Sequence, residues 1–174
     1  MNRDIYHAVQ PHRGDRVRKQ HAQSTWTTLY QKHGVVPCHL VGFTRSSADI
    51  GDGRSLPYLK DALFQAMREA RAEDIILFSN DDNLLHPDLP DYLKFHVSLY
   101  GACASFRCDF QGTPPLAPPP PERYAAGSSM SPGQDVFAFT KAWLEQHWNE
   151  IPDFLLGASE WDWCLTMIIR KEKG

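Results

Sequence analysis

The sequence predicts an α/β protein whose β-sheet is mainly parallel and carries helices on both faces. Apolar runs typical of strands alternate with amphipathic segments over residues 5–110, in the order β-α-β-α-β-α-β. Residues 75–78 (Ile-Ile-Leu-Phe) are apolar at every position, which predicts a strand buried on both faces. The chain has 174 residues, 42% of them hydrophobic, and no internal repeat. We therefore expect a single domain, residues 1–174, with a substantial core.

The period of the apolar residues places the individual elements. We predict strands over residues 5–9, 35–41, 75–78, 102–110 and 136–139, and helices over 15–31, 87–100, 141–148 and 159–171, with a further helix between residues 55 and 70. Ala22, Trp26 and Leu29 recur at helical spacing and give the first helix a buried face. Ser55 and Thr140 are the residue types that favour the N-cap position of the helices that follow them.

Residues 111–134 interrupt this alternation. The segment contains the runs Thr-Pro-Pro-Leu-Ala-Pro-Pro-Pro-Pro and Gly-Ser-Ser-Met-Ser-Pro-Gly, which disfavour a regular helix or a central strand. Long loops in compact domains are functional lids or disordered segments. We predict a flexible loop over about residues 111–134 that closes over a bound ligand.

Composition and charge exclude several classes of protein. The net charge is −3, and it is asymmetric, because residues 1–33 carry +4 and the remainder carries −7. That distribution lacks the broad basic surface of a nucleic-acid-binding protein. No apolar run is long enough to span a membrane, and no signal-peptide core follows Met1. The four cysteines lack zinc-site spacing, so we expect reduced thiols and a cytoplasmic location.

Asn80, Asp81 and Asp82 directly follow the most apolar of the predicted strands. Ligands of open α/β sheets bind at the carboxyl ends of the strands. Two carboxylates in that position suit a hard divalent cation, which prefers oxygen ligands and also binds phosphates. The alternative is a polar turn in which one of these residues caps the next helix.

A second acidic group stands at the start of the last predicted helix. Ser159 and Asp162 match a capping box, which is a purely structural device, but that motif leaves Glu160 unexplained. A carboxylate held in this first turn can act as a general base. His147 lies on the preceding helix, and it is either a partly buried polar residue or a weak candidate for a metal ligand.

These two acidic motifs, in this order on an alternating β/α background, resemble those of the nucleotide-sugar glycosyltransferases of the GT-A fold. Those enzymes end a sheet strand with an Asp-x-Asp-like motif, which Asn80-Asp81-Asp82 is similar to. They also carry an acidic helix start further along the chain, which residues 157–162 resemble. The resemblance covers residues 5–170 and implies a Rossmann-like nucleotide-binding domain that transfers a sugar from a nucleotide-diphosphate-sugar donor to an acceptor of unknown chemistry.

The resemblance also implies a role for each candidate residue. Mn²⁺ or Mg²⁺ would bind Asp82, with Asp81 and His147 as further candidate ligands. Glu160 or Asp162 would take the proton from the acceptor hydroxyl. The donor-binding residues would be Pro11, His12, Arg13, Arg16, Arg45, Asn80 and Asp81.

Two other functions are compatible with the same residues. One is a nucleotide or nucleotide-sugar binding protein without catalysis, and the other is a different metal-dependent enzyme that acts on phosphates. No Gly-rich phosphate loop of the P-loop type is present, which disfavours the latter. The sequence leaves oligomerisation open.

Overall fold

A computed structural model describes residues 3–10, 16–38, 58–110, 128–156 and 161–171. These residues form five strands and five helices, which confirms the α/β class. The strands are β1 (Ile5–Gln10), β2 (Val36–Cys38), β3 (Ile75–Asn80), β4 (Ala102–Phe110) and β5 (Ser128–Thr140). The helices are α1 (Arg16–His33), α2 (Leu59–Met67), α3 (Leu89–Tyr100), α4 (Lys141–His147) and α5 (Trp161–Lys171).

The five strands form one mixed sheet in the order β2-β1-β3-β5-β4. The β1–β2 and β1–β3 pairs are parallel, whereas β5 runs antiparallel to both β3 and β4. The parallel arrangement predicted from the β/α alternation therefore holds for β1, β2 and β3. It fails at β5 because no helix lies between β4 and β5 among the described residues, and a parallel neighbour requires a crossover of that kind.

Strand β5 is longer than the sequence predicts. It begins at Ser128, so the loop predicted over about residues 111–134 is wrong for its last seven positions, and residues 111–127 lie outside the described residues. Pro132 and Gly133 sit at a register shift, where Phe106 of β4 pairs with Gln134 and the next residue, Arg107, pairs with Ser131. A bulge of this kind accommodates Pro and Gly within a paired strand.

Helices cover both faces of the sheet, as predicted. On one face, α2, α4 and α5 pack over Ile76, Phe78, Phe137 and other buried residues of the larger hydrophobic cluster. On the opposite face, α1 and α3 pack over Ile75 and Leu77. Because side chains alternate along β3, odd-numbered residues face α1 and α3, and even-numbered residues face the other three helices.

The helix predictions are confirmed in their main features. Ala22, Trp26 and Leu29 are buried on α1, and the Thr140 hydroxyl caps α4 by accepting from the Trp143 N–H at 3.0 Å. For α2, however, the N-cap position belongs to Tyr58, so the Ser55 cap is wrong, and Ser55 itself lies outside the described residues.

Asp74, immediately before β3, anchors the amino end of the sheet. It is fully buried, and both of its carboxylate oxygens are paired. Oδ1 accepts from the Asp4 N–H at 3.1 Å and from Arg71 Nη2 at 3.0 Å, and Oδ2 accepts from the Arg71 N–H at 2.8 Å and from Arg71 Nε at 3.1 Å. Burial raises the pKa of Asp74, but these hydrogen bonds outweigh burial, so its pKa lies below the usual range.

Candidate ligand site at the carboxyl end of the sheet

The candidate site lies where β1 and β3 end side by side. Gln10 is the register partner of Asn80, and on the other side of β3 Ser79 pairs with Val136 of β5. Asp81 and Asp82 therefore follow a central strand at the carboxyl end of the sheet. This is the position at which ligands of α/β sheets bind.

Two side-chain oxygens at this position are buried acceptors. Asn80 Oδ1 and Asp81 Oδ1 are shielded from solvent and have no hydrogen-bond partner among the residues that the structure describes. A buried acceptor without a partner costs on the order of 1–3 kcal/mol, so native proteins rarely retain one without a reason. Two adjacent acceptors favour a ligand that brings hydrogen-bond donors or a cation.

The second oxygen of Asp81 is paired with a cation from α1. Lys19 Nζ lies 2.7 Å from Asp81 Oδ2, and both side chains are largely shielded from solvent, with exposed fractions of 28% and 15%. Lys19 is in the first turn of α1, which begins close to the carboxyl end of β1 in the chain. The helix thus delivers positive charge to the end of β3.

Helix α1 and strand β5 also hold the segment that follows Asp82. Trp26 Nε1 donates to the Asn83 carbonyl at 3.0 Å, and the Leu85 N–H donates to the Thr25 hydroxyl at 3.1 Å. Asn83 Nδ2 donates to the Asp135 carbonyl at 3.0 Å. Three long-range hydrogen bonds thus fix the backbone around the two aspartates, which pre-organises them.

His7 supports the site from within the sheet. Its side chain is fully buried, with Nε2 2.8 Å from Ser79 Oγ and Nδ1 2.9 Å from the Tyr30 hydroxyl. The Trp26 indole packs against the imidazole edge-to-face, with ring centroids 5.0 Å apart. Burial lowers the pKa of His7 to about 3, so the ring is neutral near pH 7 and serves both neighbours with one N–H and one lone pair.

The start of α5 lies at the same end of the sheet. Trp161 packs edge-to-face on Phe78, two residues before Asn80, with ring centroids 5.8 Å apart, and it also contacts Phe137. Asp162 follows Trp161 and is half-buried. Asn80 continues the alternation that turns Phe78 toward α5. The structure therefore places the first turn of α5 beside Phe78 and Phe137, on the face of the sheet to which Asn80 belongs, with Lys19 and Asp81 on the α1 side.

The side chain of His147 contacts Trp143 and Glu150. Its ring stacks on Trp143 at 4.4 Å between centroids, and Nδ1 donates to Glu150 Oε1 at 3.0 Å, which lowers the pKa of Glu150. Helix α4 begins beside the amino end of β3, because Thr140 pairs with Ile75. Within the described part of the chain, no group of three or more His, Cys, Asp and Glu side chains is arranged to hold a metal ion.

The chain matches no protein-family model, and no curated protein matches it significantly.

The other predicted site residues are either exposed or outside the described part of the chain. Arg16, the first residue of α1, is exposed to solvent. The predicted donor-binding residues Pro11, His12 and Arg13, together with Arg45 and the candidate base Glu160, lie outside the described residues. None of the described helices is both long and apolar enough to cross a membrane.

Sequence reasoning did not single out Lys19. Its signal is nevertheless present, because Lys19 lies three residues before Ala22 and seven before Trp26, and so continues the buried stripe of α1 by one turn. A lysine at the start of an apolar stripe indicates a cation directed toward the sheet end rather than toward solvent.

Proposed function

We propose that this protein is a glycosyltransferase that binds a nucleotide-diphosphate-sugar donor at the carboxyl end of β1 and β3. The observation that carries the proposal is the pair of buried acceptors, Asn80 Oδ1 and Asp81 Oδ1, beside the Lys19 ammonium. These groups present both acceptors and positive charge, which a ligand with hydroxyl groups and phosphates requires. The resemblance of the two acidic motifs to those of GT-A enzymes supports the same function.

The carboxylate oxygens at this position suit a divalent cation. Asp81 and Asp82 would hold Mn²⁺ or Mg²⁺, and Mg²⁺ commonly binds one or two carboxylates and completes its shell with waters and substrate phosphates. The absence of a third described ligand is therefore compatible with a metal that binds together with the donor. When bound, the metal would neutralise charge on the departing diphosphate.

The protein itself supplies the remaining functions. The first turn of α1 contributes its positive dipole end, which favours phosphate. Asp162, in the first turn of α5, accepts the proton of the acceptor hydroxyl as that oxygen attacks the sugar. Trp161 fixes the start of α5 by packing on Phe78, so the carboxylate that follows it is held on a rigid element.

Calorimetry with UDP, GDP, CDP and TDP, each with and without Mn²⁺, tests the donor site. We expect one nucleotide to bind in a metal-dependent manner and Asp82→Asn to weaken that binding at least about tenfold, which corresponds to roughly 1.4 kcal/mol. Asp88→Asn is the matched control, because it removes the same charge from a solvent-exposed position just before α3. Well-folded protein that binds none of the four nucleotides would exclude the proposal.

Slow hydrolysis of the nucleotide-sugar identified in that panel tests catalysis. We expect Asp162→Asn to lower the rate about 10²-fold or more, as loss of a general base does, with donor affinity unchanged. Glu160→Gln is measured alongside it, since the sequence offers both carboxylates as the base. Glu145→Gln, an exposed acid on α4, is the control. Donor binding without turnover would identify a binding protein that lacks catalysis.

A further inference from the structure

Lys19 occupies one of the two oxygens through which Asp81 could bind a metal ion. The 2.7 Å separation of Lys19 Nζ and Asp81 Oδ2 is that of a charge-assisted hydrogen bond. The other oxygen, Oδ1, is buried without a partner among the described residues. The charge of the carboxylate is thus balanced by a cation that belongs to the chain itself, and one of its oxygens has no hydrogen-bond partner among the described residues.

We propose that Lys19 is the resident counter-ion of this site and that it must leave Asp81 before a divalent cation binds there. This inference rests on the proposed metal-dependent function. It adds a residue outside the two acidic motifs, Lys19, that regulates the affinity of the site for metal. An ammonium and a divalent ion at the same carboxylate repel each other, so their binding to Asp81 is competitive. Metal binding therefore includes the cost of breaking the Lys19–Asp81 pair.

The position of Lys19 on α1 would link this exchange to binding of the anionic donor. A lysine side chain has a flexible four-carbon stem and a point charge, so it can leave one oxygen and bind another nearby. Lys19 lies in the first turn of α1, where a phosphate is favoured. A displaced ammonium would therefore meet the anionic donor, and the protein would hold metal weakly until the donor arrives.

Direct titration with Mn²⁺ in the absence of nucleotide tests the exchange, with the loss of the free-ion electron paramagnetic resonance signal as the readout. We expect Lys19→Met to bind Mn²⁺ about tenfold more tightly than the wild-type chain, because the carboxylate no longer has a competing cation. Lys19→Gln is the second variant, and circular dichroism checks that each variant is folded. Lys32→Met is the matched control, since it removes the same charge from an exposed position at the far end of the same helix.

The outcomes separate this inference from the proposed function. Equal Mn²⁺ affinity in the wild-type chain and the Lys19 variants, or an equal gain in Lys32→Met, would overturn the exchange while leaving the metal site intact. Weaker binding in the Lys19 variants would also overturn it. If no folded variant binds Mn²⁺, the metal site of the proposed function fails, and the exchange fails with it.

Chemical labelling of the wild-type chain provides a second measurement that needs no variant. Amine acetylation followed by mass spectrometry reports how accessible each lysine is. We expect saturating Mg²⁺ to raise the acetylation rate of Lys19 severalfold and to leave that of Lys32 unchanged. An acetylation rate of Lys19 that does not respond to Mg²⁺, under conditions in which metal binding is established, would contradict the exchange.

Discussion

An acid lies at each end of strand β3, and the two differ in how their carboxylate oxygens are paired. At the amino end, Asp74 is fully buried and both of its oxygens accept hydrogen bonds from the Asp4 backbone and from Arg71. At the carboxyl end, Asp81 has one oxygen paired with Lys19 and one buried oxygen without a partner among the described residues. The described residues thus satisfy both oxygens of Asp74 but only one oxygen of Asp81.

This difference separates a structural acid from a candidate functional one. A buried carboxylate that is satisfied internally contributes stability and has no capacity left for a ligand. A buried carboxylate oxygen without a partner costs stability, so its presence in a native protein calls for a reason, such as a bound ion or ligand. The comparison predicts that the amino end governs folding and the carboxyl end governs binding.

Acid should produce the largest loss of stability, and it acts through His7, which pairs with Leu77 inside the sheet rather than at either end of β3. The pKa of His7 is about 3 in the folded chain and near 6.5 when unfolded, so the unfolded state binds the extra proton between these values. Its contribution is complete above pH 6.5 and is lost as the pH falls toward 3, by on the order of 5 kcal/mol in total. Urea unfolding at a series of pH values measures this loss.

His7→Gln provides the comparison for that titration. Glutamine retains hydrogen-bonding capacity and does not titrate, so we expect the variant to be less stable at pH 7 but to show a flatter pH dependence between 6.5 and 4. The contribution of Asp74 to stability is lost only below its usual pKa of 3.8. Its pKa is lowered in the folded chain, so this contribution disappears when the carboxylate is protonated. A pH dependence in His7→Gln equal to that of the wild-type chain would show that the buried imidazole is not the cause.

Alanine substitution of the two acids tests the comparison directly. We expect Asp74→Ala to lower the free energy of unfolding by about 2–3 kcal/mol, because it leaves the backbone N–H groups of Asp4 and Arg71 without their acceptor. We expect Asp81→Ala to cost less than about 1 kcal/mol, since it removes a partly screened ion pair together with an unpaired buried acceptor. Urea denaturation gives both values, and equal losses would abolish the distinction between the two ends.

The glycines beside the amino end test how tightly that region is packed. Gly101 has φ +74°, and a Cβ there would lie 2.6 Å from Trp143 Cδ1. The indole cannot move aside easily, because it stacks between Phe139 and His147. We expect Gly101→Ala to cost about 2 kcal/mol, from the left-handed backbone and the clash together.

Gly34→Ala is the control, because Gly34 has φ +64° but no atom of the described residues lies within 4 Å of its Cβ position. We expect it to cost about 1 kcal/mol, from the backbone conformation alone. Thermal unfolding of both variants isolates the contribution of the clash. A smaller loss for Gly101→Ala than for Gly34→Ala would mean that the packing around Trp143 gives way.

Local patterns in the sequence predicted much of the fold. The all-apolar run of β3, the buried stripe of α1 and the Thr140 cap depend on residues within a few positions of one another, and the structure confirms them. The direction of β5 depends on a pairing with a distant strand, which periodicity does not contain. Helical spacing from Leu93 and Val97 also favours a buried Tyr100, yet this residue is about half exposed, and the buried face of α3 is formed by Pro90, Leu93 and Val97.

The candidate site was predictable only in part. The position of Asp81 and Asp82 at a sheet end followed from the strand that precedes them. The ion pair between Lys19 and Asp81 joins residues 62 positions apart in the sequence, so it depended on how α1 packs against the sheet. That Asn80 Oδ1 and Asp81 Oδ1 have no partner among the described residues is likewise a property of the packed structure.

Strand β2 gives the sheet protection against intermolecular association. It is the outermost strand on its side of the described sheet, it spans only Val36–Cys38, and its central residue is Pro37. A proline has no backbone N–H, so a second chain that approached this edge would find few donors with which to continue the ladder. We therefore expect Pro37 to disfavour the addition of a strand at this edge of the described sheet, and we expect Pro37→Val to favour it.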